Sequence, residues 1–332
     1  MRPLDLGFEL SNLCNLHCNH CIRGSHQEQI ESLTLPFITR VLDEALASHH
    51  PLAVVLTGGE PLAAPLFPAV VAELGRRNIP YRFVTNGWHV PRHLPALLAH
   101  PPSFVRVSLS GGLAHTHDAE RGHGSFRKAL VAVAALLASG IRAELSLVVT
   151  RESRGEIVEA VQLANELGVG EFHVILPQPT PETAIAASDL GPEEWKAVAL
   201  EVFALSRTSA VPVFIDYGAF LPFPRPLCNT LALRQVYVDG LGRVPFCCQL
   251  SRYGTGEEVL LGDLNVDSLA TIVQRAEARY AEFTTETAML HQMGARDELD
   301  EFPCLSCARR HGKTGFLADF PEHPWTQLAR SA

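Results

Sequence analysis

From residue 3 to about residue 177 the chain repeats one unit, a short apolar run followed by a turn and a longer amphipathic stretch. This βα rhythm constrains the fold more than any other feature, because strands that alternate with helices lie parallel and need crossover connections. Strands are expected over 6–11, 53–57, 81–85, 104–109, 142–149 and 171–176. Each is short and apolar, as a strand covered on both faces should be. Helices are expected near 34–47, 65–77, 92–99, 125–139 and 153–167. Thr34 ahead of Pro36 marks one helix start, and Ser153 with Glu156 has capping-box spacing at another. Six parallel strands with right-handed crossovers make an open doubly wound sheet or a parallel barrel, complete or partial, and the pattern alone does not choose.

After residue 177 the rhythm breaks. Residues 177–192, rich in Pro, Thr and Ala, read as a connecting loop, and a helix is expected over about 192–206. Segments 234–238 and 243–247 flank Asp239-Gly240-Leu241-Gly242 and read as a β-hairpin with a glycine-rich turn. A helix near 268–283 and a Cys-x-x-Cys turn at Cys304 and Cys307 complete the tail. Two units are expected, 1–210 and 211–332.

The chain has 332 residues, 47% of them hydrophobic, enough for a large buried core. A formal net charge of -9 disfavours general attraction to nucleic acid or an anionic membrane and favours a small molecule or peptide as partner. No apolar run approaches the roughly 20 residues that span a bilayer, and the first residues lack the pattern of a secretion signal. A cytoplasmic protein is therefore expected. In that reducing compartment the eight cysteines are free for metal or chemistry rather than for disulfides.

Three of them stand together in Cys14-Asn15-Leu16-His17-Cys18-Asn19-His20-Cys21, directly after the first expected strand. Thiolates spaced this closely on a loop can face one point and hold an iron-sulfur cluster. A zinc site competes, but it usually takes four protein ligands in two separated pairs. The segment resembles the radical S-adenosylmethionine (SAM) superfamily, whose Cys-x3-Cys-x-aromatic-Cys loop holds a 4Fe-4S cluster with one iron open to the amino and carboxylate groups of SAM. His20 occupies the aromatic position, and the resemblance implies that its ring packs near SAM. It also implies a partial parallel (β/α)6 barrel, and a reducing partner such as flavodoxin or ferredoxin.

Further segments extend the resemblance. Thr57-Gly58-Gly59-Glu60-Pro61 is similar to the family's Gly-Gly-Glu-Pro segment, which implies that Gly58, Gly59 and Glu60 receive the SAM amino group. Thr85-Asn86-Gly87 ends the third expected strand, as in many members. Ser108-Leu109-Ser110, His117-Asp118 and Arg121-Gly122 are similar to the family's Ser-x-Asp-Gly, His-Asp and Arg-Gly segments, so Ser108 and Arg121 are expected to hold the SAM carboxylate or ribose. Ser110 stands where the family has Asp. His115, His117 and His123 are read as solvated histidines of a polar loop rather than as metal ligands.

Cys228, Cys247, Cys304 and Cys307 form a second group, in which Cys228-x13-Gly242-x4-Cys247 is closed by the later Cys-x-x-Cys. This spacing resembles the twitch domain, a small α+β unit and shortened SPASM domain, which implies an auxiliary 4Fe-4S cluster on those four cysteines. Structural zinc is the alternative. Cys248 is left over, either as a small core residue or as a thiol poised to return a hydrogen atom to a substrate radical, an arrangement similar to that of radical SAM epimerases.

The resemblance implies that reductive cleavage of SAM gives a 5′-deoxyadenosyl radical that removes hydrogen from a C–H bond of the substrate. A thiol donor at Cys248 makes the expected outcome epimerisation; loss of an electron to the auxiliary cluster would instead make it oxidation, as in aminocyclitol dehydrogenases. Because Cys14 lies close to residue 1, no peptide-recognition domain is expected ahead of the barrel. A carbohydrate-like intermediate is the expected substrate and a peptide the alternative. Gln178, Glu182, Asp189, Asp216 and Tyr217 are candidates to line the site, each with a solvated loop residue as the plainer reading.

Overall fold

Leu4, Leu6 and Phe8 alternate along the first strand, β1 (Arg2–Glu9), with Asp5, Gly7 and Glu9. The three apolar side chains are at most 3% exposed and lie in one core with Ile38, Val41, Leu42 and Ala45 of helix α1 (Leu35–Ser48). The strand period of two therefore turns one face of the sheet to the helices and the other to a polar concave side. Burying such side chains contributes roughly 1.5–3 kcal/mol each. Thr34 accepts a hydrogen bond from Phe37 N at 3.3 Å, so α1 begins at the cap that the sequence marks.

The computed structural model describes residues 2–22, 30–215, 218, 220, 235–250, 259–294 and 298–330. The βα alternation continues with β2 (His49–Thr57), α2 (Phe67–Arg76), β3 (Tyr81–Thr85), α3 (Val90–Ala99), β4 (Phe104–Leu109), α4 (Ala114–Arg121), α5 (Ser125–Ala138), β5 (Ala143–Val148), α6 (Ile157–Leu167) and β6 (Phe172–Ile175). Then come α7 (Pro181–Ala186), α8 (Pro192–Leu205) and β7 (Val213–Ile215). Beyond them lie β8 (Gln235–Val238), β9 (Arg243–Pro245), β10 (Leu260–Asp263), α9 (Leu269–Gln292), α10 (Pro303–Arg310) and α11 (Thr326–Arg330). The main sheet runs β7-β6-β5-β4-β3-β2-β1-β8 with every neighbouring pair parallel, and β9 and β10 form a small antiparallel sheet. This is an open α/β partial barrel, wider by β7 and β8 than the six expected strands. Among the described residues no helix is long and apolar enough to cross a membrane.

Four local expectations change. The Asp239 turn forms, with Gly242 N donating to Asp239 O at 3.0 Å, yet its two arms do not pair as a hairpin. Instead β8 joins β1, and β9 pairs with β10. The expected capping box at Ser153 is absent, because its hydroxyl turns inward to accept from Thr150 N at 3.0 Å, while Glu156 reaches across to Leu113 N at 3.1 Å. A capping box does form within the expected connecting loop, with Thr180 and Thr183 starting α7. The Cys-x-x-Cys segment lies on helix α10 rather than in a turn.

Candidate active site

Parallel strands bring their C-terminal ends to one edge of the sheet, and the loops leaving that edge enclose a crevice. The cysteine loop leaves β1 there, Gly58-Gly59-Glu60 leaves β2, Asn86 follows β3, and Ser110 follows β4. The first two loops are locked together: Gly59 N donates to Ser11 O and Glu60 N to Leu13 O, both at 2.9 Å. A Cβ on Gly59 would lie 2.4 Å from Asn12 O and 2.5 Å from Leu13 O, so only glycine admits this approach of backbone to backbone.

Cys14, Cys18 and Cys21 are each half-buried on this loop. Burial pushes the Cys14 thiol up to about 11, and the Glu60 carboxylate and the Cys18 and Cys21 sulfurs add to the rise. Burial likewise raises Cys18, with Arg121 opposing it and Cys21 adding to it. Three thiols in electrostatic reach of one another, unfavourable as bare thiolates, fit a cationic iron-sulfur cluster, which deprotonates its ligands.

Glu60 is 1% exposed, and its carboxylate accepts from Leu62 N, the Thr85 hydroxyl and Asn86 N, the last two at 2.7 Å. Two oxygens offer about four lone pairs, so one acceptor position remains for a ligand. Burial is the main influence on this carboxyl and raises its pKa. The Asn86 amide donates to Asn15 Oδ1 at 3.0 Å, tying the end of β3 to the cysteine loop. Asn86 lies in the Thr85-Asn86-Gly87 segment that the sequence singles out, whereas nothing in the sequence marks Asn15 as its partner.

Arg121 and Ser108 are not joined. Arg121 Nε donates to the Ser110 hydroxyl at 2.6 Å, whereas Ser108 sits inside β4 opposite Ser146. His20 is 8% exposed, and its Nδ1 lies 3.2 Å from a Glu120 carboxylate oxygen, a partner that no motif reveals. Burial lowers the His20 pKa, so the ring is held neutral. The region read as a polar loop is helix α4. On it His117 is buried, stacks edge-on to Phe126 and is pushed down to about 3 by burial, with the Arg121 charge adding to the fall. His115 and His123 are exposed. Asp118 caps α5 by accepting from Gly124 N and Phe126 N. Lower in the barrel, Glu144, Glu171 and His173 stand close enough to share a metal, but Arg106 pairs with Glu144 and Arg142 with both carboxylates, which already compensates their charge.

In the second group, burial holds the Cys247 thiol well above its usual range, and Cys248, Cys307 and Cys304 raise it further, so the four sulfurs are electrostatic neighbours. Cys248 is exposed, whereas Cys247, Cys304 and Cys307 are half-buried. Cys304 and Cys307 share one face of α10. Gly218 O accepts from Cys304 N at 3.2 Å, and a Cβ on Gly218 would lie 2.0 Å from the Cys304 sulfur. Cys228, Asp216 and Tyr217 lie outside the described residues. Of the other candidates to line the site, Glu182 is exposed and Asp189 is buried in bonds to the Thr183 hydroxyl and His323, while Gln178 is buried with its Oε1 unpartnered among the described residues.

Residues 8–183 match the Radical SAM superfamily. The chain is 30% identical over 244 residues to the mycofactocin maturase MftC of Mycobacterium ulcerans, covering 73% of this chain and 64% of the relative. It is 30% identical over 254 residues to the PqqA peptide cyclase of Gluconobacter oxydans, covering 74% of this chain and 70% of the relative. The chain spans 64% of the length of that mycofactocin maturase and 60% of that of an AdoMet-dependent heme synthase of Methanosarcina barkeri. The fold is similar to that of native anSMEcpe with bound AdoMet, with a TM-score of 0.65 at 18% identity over 83% of each chain. On the family match across more than half of its length, this chain belongs to the radical SAM superfamily, with a 4Fe-4S cluster and SAM as its cofactors.

Proposed function

We propose that the chain is a radical SAM epimerase in which Cys14, Cys18 and Cys21 hold the SAM-cleaving cluster and Cys248 returns a hydrogen atom to the substrate. When bound, cluster and SAM together supply a 5′-deoxyadenosyl radical able to take hydrogen from an unactivated C–H bond. The remaining acceptor position of Glu60 suits the SAM amino group, beside the backbone of Gly58 and Gly59. The guanidinium of Arg121, which donates through Nε to the Ser110 hydroxyl among the described residues, has its outer nitrogens to offer an anionic group such as the SAM carboxylate. The observation that carries the epimerase reading is the exposure of Cys248 beside three half-buried cysteines. With Cys228, those three suit the four ligand positions of an auxiliary cluster within 211–332, and Cys248 is the exposed one of the four described sulfurs.

For the substrate, relatedness to a peptide cyclase favours a C–H bond of a peptide over one of a sugar. A second reading has its own support: Cys248 is an electrostatic neighbour of Cys247, as Cys304 and Cys307 are, and it could serve as fourth ligand in place of Cys228. The auxiliary cluster would then be the electron acceptor of a dehydrogenase.

Anaerobic reconstitution with SAM, dithionite and a candidate peptide or aminosugar in deuterated water separates these readings. The epimerase should form 5′-deoxyadenosine and place solvent deuterium at the inverted carbon. Cys248→Ala should keep its iron and still form 5′-deoxyadenosine without epimerised product. Loss of iron from Cys248→Ala, with Cys228→Ala retaining it, would establish the ligand reading. Product of Cys248→Ala identical to wild type would remove the epimerase.

A further inference from the structure

Behind the cysteine loop runs a short chain of buried hydrogen bonds whose direction follows from what each group can donate. Arg121 has donors only, so the 2.6 Å contact from its Nε makes the Ser110 hydroxyl an acceptor. The hydroxyl proton is then available to His20 Nε2, 3.5 Å away. With Nε2 accepting, the proton of the neutral His20 ring resides on Nδ1, which faces the Glu120 carboxylate at 3.2 Å. The main chain repeats the connection, since Asn19 N donates to Glu120 O at 3.3 Å. His20, Ser110, Glu120 and Arg121 are each at most 8% exposed.

Two features make this more than a tie between a helix and a loop. An aspartate at position 110 would place a carboxylate against Arg121 and compensate its charge within the protein. Ser110 holds the guanidinium with a neutral hydroxyl. The negative charge stands at Glu120 instead, one residue along α4, where it faces the imidazole.

We propose that Glu120 is a positioning residue of the SAM-cleaving site: through His20 and Asn19 it clamps the Cys18–Cys21 turn onto α4, while Ser110 leaves the Arg121 guanidinium charged for a SAM anion. The inference rests on the assignment of Cys14, Cys18 and Cys21 as cluster ligands. Partners just beyond the ligands of a metal site orient those ligands, and losing one typically lowers affinity or activity about 10- to 100-fold.

The test uses the full chain with reconstituted clusters and reads the SAM dissociation constant by equilibrium dialysis, the iron content, and the electron paramagnetic resonance spectrum of the reduced cluster with and without SAM. Glu120→Leu strands the His20 N–H, and His20→Phe strands the Glu120 carboxylate. Each should weaken SAM binding by about 10- to 100-fold and diminish the SAM-induced change in the spectrum. The double variant His20→Phe with Glu120→Leu, which leaves neither group unpaired, should recover most of what either single change loses. Glu120→Gln, which keeps an acceptor, should stay close to wild type. Ser110→Asp should retain its iron yet lose about tenfold in SAM affinity, because the added carboxylate occupies Arg121.

Wild-type SAM binding and spectra in Glu120→Leu would overturn the proposal, and so would a double variant as impaired as the two singles combined. A wild-type protein without a SAM-responsive signal would overturn the cluster assignment itself. That failure is distinguishable, because it appears before any variant is compared.

Discussion

Cys14, Cys18 and Cys21 come from eight consecutive residues and sit against the backbone of a neighbouring strand end, whereas Cys247, Cys304 and Cys307 are gathered from a segment after β9 and from α10, on either side of the long helix α9. Around the first group Glu60, Asn86 and Asn15 link three successive strand ends at one edge of the parallel sheet. The second group depends on packing between elements far apart in the chain. Part of that packing is α1, where Arg40 donates to Leu264 O at 2.5 Å and Glu44 accepts from Leu269 N at 2.7 Å. A local loop on a rigid strand end needs little chain entropy to close, whereas a site assembled across long separations relies on tertiary contacts to hold its ligands.

The contrast breaks most visibly at the two glycines. Gly59→Ala forces a Cβ to within 2.5 Å of two carbonyl oxygens of the cysteine loop, neither of which is a flexible side-chain end. SAM cleavage should be abolished and roughly half of the iron lost, the second group keeping the rest. Iron analysis together with a 5′-deoxyadenosine assay checks this, and cleavage at the wild-type rate would show that the two loops are not interlocked. Gly218→Ala should do the opposite, displacing the Cys304 sulfur at a cost of about 1–3 kcal/mol and removing the proposed second cluster while SAM cleavage persists.

A smaller effect should appear in acid. Burial holds the folded-state pKa of His117 at about 3, below the roughly 6.5 of an unfolded histidine. Between those values the unfolded chain binds more protons, so stability rises with pH and is lost progressively on acidification, by on the order of a few kcal/mol. His117→Asn, which retains an acceptor for Ser110 N, should flatten this dependence when urea unfolding is followed from about pH 7 to about pH 4. Buried His20 contributes in the same direction, so some slope should remain. An unchanged slope would mean that His117 does not titrate as a buried neutral ring.

Arg40→Ala should destabilise the C-terminal packing by about 1–3 kcal/mol and loosen the proposed second cluster before the first. Thr34→Ala removes only a cap from α1, so about 0.5–2 kcal/mol of thermal stability should go, with both iron contents unchanged.

The βα rhythm determined by itself that the chain builds a parallel sheet flanked by helices, because alternating apolar strands and amphipathic helices can bury their apolar faces in few other ways. The cysteine loop was equally legible, since its chemistry lies in adjacent residues. So was the Thr34 cap, a contact spanning three residues. What stayed hidden depended on partners remote in sequence. Residues 234–247 have the pattern of a hairpin, yet β8 completes the sheet beside β1, where Tyr237 donates to Glu9 at 2.7 Å, and β9 turns to β10. Ser153 and Glu156 have capping-box spacing, yet Ser153 accepts locally from Thr150 N, and Glu156 is drawn to Leu113 N across 43 residues at the start of α4. Glu120 carries no motif at all, and it meets His20 across 100 residues only because α4 packs over the cysteine loop. Local periodicity and spacing encode which elements form, whereas strand neighbours and buried polar partners are selected by the free energy of the assembled fold, which leaves few buried groups unpaired.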